Sequence, residues 1–74
     1  MSRHIESKQG LKTLRTRFCK YVREHSEGAT EKEQAEMFYW SQVIQGCINE
    51  GLAMDEVDYE LAPKWFRPMW AGLK

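Results

Sequence analysis

The chain has 74 residues, 42% of them hydrophobic and 30% charged, with eleven basic and eleven acidic side chains that cancel at neutral pH. That length allows one domain with one small core. No run reaches the ~18 apolar residues of a membrane span, and the opening residues lack the apolar stretch of a secretory signal.

The charge is unevenly laid out. Residues 1–25 hold seven Lys/Arg against two acids, and residues 26–60 hold Lys32 alone against nine acids. Either the two poles neutralise each other inside the fold, or one of them meets a charged partner. The two cysteines, Cys19 and Cys47, fall on helical faces where Cys packs as a small hydrophobe. Free thiols and a cytoplasmic compartment are expected.

Residues 1–8 carry no periodic signal, and a frayed or partly helical start is expected. From Leu11 the helical period is clear, with Leu11, Leu14, Phe18, Tyr21/Val22 and His25 on one face. Lys8, Lys12, Arg15, Lys20 and Arg23 line the adjoining arc, with Arg17 nearby. Ser26-Glu27-Gly28 should end this helix, with Gly28 as a left-handed cap. Thr30 with Glu33 three residues on forms a capping box that starts helix 2. Gly51 stops that helix, and Leu52 is placed to supply the apolar contact of the cap.

Helix 2 holds the bulk of the chain over Met37–Ile48. Met37, Trp40, Val43, Ile44, Cys47 and Ile48 form an apolar arc wider than the stripe of an ordinary surface helix. Ala35, Tyr39, Gln42 and Gly46 make a second line, so helix 2 is expected to be central and contacted on two sides. Either the tail or another chain would cover that second side. Asp55 caps a short third helix whose apolar pair is Val57 and Leu61. Pro63 and Pro68 then cut the tail into short turns near 64–67 and 68–71.

The expected fold is therefore all-α: one small three-helix domain over residues 1–74. Its helices lie near 11–26, 31–50 and 55–62, with helix 2 central and an aromatic C-terminal segment of short turns.

Motifs for chemistry are missing. His4, Cys19, His25 and Cys47 have neither CxxC nor HxxxH spacing, so no metal is expected. No nucleophile stands beside a base in a local signature, the glycines form no phosphate loop, and no enzyme activity or cofactor is expected. Asp55, Glu56, Asp58 and Glu60 lack calcium-loop spacing, although such a cluster can imitate a phosphate track.

The surplus of aromatic residues points instead to a protein partner, because Trp, Tyr, Met and Arg are enriched at interface cores. The candidate interface is Tyr39, Trp65, Phe66, Arg67, Met69 and Trp70, the alternative being that the tail folds back over helices 1 and 2 and closes the core. The first reading is a small non-enzymatic regulator or inhibitor docked on a larger protein, of the self-contained phage- or mobile-element format, with a homodimer through helix 2 also open. The second is a nucleic-acid-binding protein that uses Lys8, Lys12, Arg15, Lys20 and Arg23. The acidic third helix would repel DNA, so that reading rests on helix 1 alone.

The run Thr30, Glu33, Ala35, Phe38-Tyr39, Pro63 and Trp65 resembles the Hha-type modulators of bacterial gene expression. These are small all-helical proteins with a Ser/Thr-x-x-Glu cap, a Phe-Tyr pair and a late Pro followed by Trp. The resemblance covers under half of the chain, the Phe-Tyr to Pro spacing is longer here, and the N-terminal halves do not align. It implies an all-helical fold, and fold alone does not carry function.

Overall fold

The computed structural model describes residues 4–73, so the first three residues of the expected frayed start lie outside it. Three helices form: α1 over Lys8–His25, α2 over Glu31–Glu50 and α3 over Glu56–Leu61. Short 3-10 turns follow α1 at Ser26–Gly28 and close the tail at Arg67–Trp70.

Helix α1 starts three residues earlier than its apolar period suggests. Ser7 is the N-cap, and its Oγ accepts from the Gly10 N–H at 2.9 Å. Gly10 therefore sits inside the first turn, where the cap offsets its poor helix propensity. At the other end, Gly28 does not adopt a left-handed conformation; the positive-φ residues are Gly51 and Gly72. The chain leaves α1 through the 3-10 turn instead, with Ser26 still helical and its N–H donating to the Val22 carbonyl.

Helix α2 follows its sequence signals. Thr30 Oγ1 accepts from the Glu33 N–H, and the Glu33 carboxylate accepts from the Thr30 N–H, both at 3.1 Å. Gly51 ends the helix at φ 69°, and the Gly51 and Leu52 N–H groups both donate to the Cys47 carbonyl. The Leu52 side chain does not pack against this cap as expected; it is exposed.

Helices α1 and α2 pack along Leu11, Leu14 and Phe18 on one side and Met37, Trp40, Ile44 and Ile48 on the other. Among the described residues, five core residues come from outside the long helices: Ile5, Met54, Ala62, Phe66 and Trp70. Ile5 is fully buried and pairs its backbone with Met54, through Ile5 N–H to Met54 O at 2.9 Å and Met54 N–H to Ile5 O at 3.1 Å. Phe66 from the tail is also fully buried, in edge contact with Phe18 at 5.2 Å and tilted against Trp40 at 5.3 Å. From His4 onward the segment before α1 is thus a pinned strap rather than a frayed one.

Helix α3 is turned over relative to its apolar pair. Val57 and Leu61 face outward, 63% and 68% exposed, while Tyr59 and Ala62 face the core. The reason lies in the tail. Tyr59 meets Trp70 edge-on at 5.3 Å, and Arg67 binds the carbonyls at the end of α3. Large rings bury more area than Val and Leu, so they decide which way a short helix faces.

Candidate functional site

The aromatic tail closes the core. Trp70 is buried against Phe66 and Tyr59, and Phe66 has no exposed surface. Both were expected at an interface, and burial inside their own chain removes them from it. Trp65 is half-buried in a three-ring stack: its ring lies parallel to Tyr21 at 4.8 Å, and Tyr21 stacks on His25 at 4.0 Å. Met69 packs half-buried against the core, and its carbonyl accepts from Arg17 at 2.8 Å.

Arg67 is likewise an internal clamp. Its Nε donates to the Tyr59 and Ala62 carbonyls, and its Nη2 donates to the Glu60 carbonyl at 2.8 Å. These are the orphan carbonyls of a helix C-terminus, where a cation is favoured. Of the six residues expected at a protein interface, Tyr39 alone stands out from the surface, 57% exposed, with its ring edge-on to Trp40 at 5.2 Å.

The second side of α2 is uncovered within this chain. Ala35, Tyr39 and Gln42 are exposed, and a Cβ added at Gly46 would meet nothing within 4 Å. Of the two expected covers for this side, the tail lies elsewhere.

Between the C-terminal half of α1 and the N-terminal half of α2 runs an open groove of about 650 Å³. Phe18, Val22 and Met37 make its apolar lining, and Cys19 and Ser41 border it. Phe38 stands on the α2 side, 68% exposed, and Arg23 on the α1 side. The helix period creates this arrangement. Phe38 follows the core residue Met37 by one position, which swings it out of the core and onto the flank nearest α1.

Of the basic face of α1, Arg23 borders the same groove. Lys8, Lys12, Lys20 and Arg23 are exposed, while Arg15 is half-buried and donates to the Gln45 Oε1 of α2 at 3.1 Å. Arg17 turns the other way and holds the tail through the Met69 and Ala71 carbonyls. Among the described residues no Lys or Arg lies within 4.0 Å of a carboxylate; the one contact of that kind joins His4 to Glu6 at 3.8 Å. Among the described residues the opposite charges are therefore not tied to each other by direct pairs.

The acidic cluster is partly consumed by folding. Asp55 and Asp58 cap each other, the Asp58 N–H donating to Asp55 Oδ1 and the Asp55 N–H to Asp58 Oδ2. Glu56 and Glu60 remain exposed beside Val57 and Leu61. Burial pushes the Asp58 carboxyl above its ordinary value, against a smaller lowering by its bond to the Asp55 backbone. Burial also pushes the Cys47 thiol up, assisted by the carboxylates of Asp58, Glu50 and Asp55. Among the described residues no group of three His, Cys, Asp or Glu side chains stands together as a metal set, and no helix is long and apolar enough to cross a membrane.

Compared with known proteins, the chain matches no family model, no curated protein and no solved structure.

The sequence reasoning missed Phe38 as a surface residue, along with the groove itself. A groove forms where two helices diverge, and only the position of Phe38 just beyond the apolar stripe could have signalled it.

Proposed function

We infer that the chain is a non-enzymatic protein-binding regulator or inhibitor that docks on a larger protein through the α1/α2 groove. One observation carries this reading: a large ring, Phe38, stands mostly exposed over an apolar groove lined by Phe18, Val22 and Met37. Exposed aromatics beside an apolar depression are what a helix-in-groove or knob-in-groove contact uses. Phe66 and Trp70 of the tail are buried within the chain, so the reading rests on the face between the two long helices. Docking there acts by occlusion, because the chain offers its partner apolar surface.

The test is capture of a partner from the native host lysate by the wild-type chain and by Phe38→Ser. Phe38 is exposed, so the variant should keep the wild-type circular dichroism and melting curve. Loss of the captured protein with Phe38→Ser supports the groove, and equal capture by both chains overturns it.

The exposed Lys8, Lys12, Lys20 and Arg23, with no carboxylate held against them, favour a second reading in which α1 binds nucleic acid. Binding through about four phosphates should weaken roughly a hundredfold between about 50 and 200 mM salt. Absence of any oligonucleotide shift at about 50 mM salt removes it.

A further inference from the structure

Helix α3 carries an outward strip that the fold does not use. Val57 and Leu61 stand one turn apart, both mostly exposed, with Glu56 and Glu60 one turn apart beside them. The strip is apolar on one edge and acidic on the other. The α1/α2 groove has the complementary character, with an apolar lining bordered by the exposed Arg23. Neither set of charges is paired within the chain.

The two surfaces cannot meet within one molecule. Asp55 and Asp58 at the start of α3 act on Cys47, which lies on one flank of the α2 core line, while the groove opens past Ser41 on the other.

We propose that the groove accepts the α3 strip of a second copy of this chain, with Val57 and Leu61 over the apolar lining and Glu60 toward Arg23. The contact is head-to-tail: each copy gives its α3 and receives another copy's α3 in its groove. A head-to-tail contact of this kind either closes into a ring or propagates into open oligomers. A six-residue helix offers two aliphatic anchors, which makes a weak, concentration-dependent association rather than an obligate dimer. The same groove serves the partner inferred above, so a partner and a second copy exclude each other.

The experiment is sedimentation velocity on the full chain from micromolar to millimolar concentration, with Phe38→Ser and Leu61→Ser alongside. The first variant disables the groove and leaves α3 intact; the second does the reverse. Both residues are 68% exposed, so neither change touches the core. The wild-type chain should grow beyond a dimer as concentration rises, and each variant alone should stay monomeric. An equimolar mixture should form 1:1 dimers and stop there, because the one live α3 fills the one live groove. Arg23→Glu should weaken wild-type association about fivefold, and salt should weaken it as well.

A wild-type chain that stays monomeric throughout overturns the proposal, as does a mixture no more associated than its components. Association that halts at a dimer and survives Leu61→Ser also overturns it, and would point to a symmetric contact elsewhere, such as the Tyr39 face of α2. The groove as a partner site is judged separately by lysate capture, so either reading can fail while the other stands.

Discussion

Arg67 grips Tyr59 twice: its Nε donates to the Tyr59 carbonyl at 3.2 Å, and its guanidinium carbon stands 5.6 Å from the centre of the Tyr59 ring. A single side chain thereby satisfies the end of α3 and fixes the ring that turns α3 toward Trp70. Replacing Arg67 by Ala should cost about 1–3 kcal/mol, the range for leaving part-buried hydrogen-bonding groups without a partner. Arg67→Lys should recover little of this, because an ammonium cannot span three carbonyls as a planar fork does. Urea denaturation of the three chains measures it.

The tail rings are core, and their variants should behave as core variants. Trp70→Ala should destabilise by about 3–5 kcal/mol, which is most of the stability a domain this small possesses. Trp70→Phe is different. The Trp70 indole N–H is buried with no hydrogen-bond acceptor, so removing it relieves a cost that opposes the loss of packing. Trp70→Phe should stay within about 1 kcal/mol of wild type in thermal melts.

Two carboxylates should give stability opposite dependences on pH. The bond from the Thr30 backbone, with a second from its hydroxyl, lowers the Glu33 carboxyl below its ordinary value. A lowered folded value means stability present above the unfolded carboxylate range and lost as pH falls through the folded value. Burial raises Asp58, so its penalty is fully present above the raised folded value and vanishes as pH falls below the unfolded one. Relative to wild type, Glu33→Gln should therefore be less stable at neutral pH, and the gap should close in acid. Asp58→Asn keeps an acceptor for the Asp55 N–H, and wild type should gain on it as the pH falls. Melting temperatures from neutral pH down into the carboxylate range check both signs.

The two thiols should differ in reactivity. Cys19 is exposed at the groove edge, whereas Cys47 is half-buried and its thiol is raised by burial and three carboxylates. The thiolate is the reacting species, so Cys19 should be alkylated well before Cys47 in the folded chain. Adding denaturant should bring the two rates together. Mass spectrometry of partly alkylated protein reads the order directly.

What the sequence revealed was what neighbouring residues decide. Thr30, Glu33 and Gly51 mark the ends of α2 because a capping box and a left-handed glycine are local devices. Ser7 was overlooked as a cap because Gly10 in the first turn argues against a helix there. The core role of Ile5 was hidden, since its partner Met54 lies beyond both long helices. The Val57/Leu61 pair was legible but its direction was not, because Tyr59, Trp70 and Arg67 set it through contacts made from outside α3. The tail's density of rings was legible, and whether those rings faced in or out was not. That was settled by Phe66 fitting among Phe18, Trp40 and Trp70.

The Ile5–Met54 bridge has a kinetic consequence. The α1/α2 hairpin can assemble from nearby segments, but the bridge must join strands on either side of that whole hairpin, which is a late and slow step in chain closure. Its two amides should then exchange with solvent through opening of the strap alone, before the amides at the centre of α2 are released. The fold so divides into a helical body and a latch that fastens it, and hydrogen exchange at Ile5 and Met54 times how often the latch lifts.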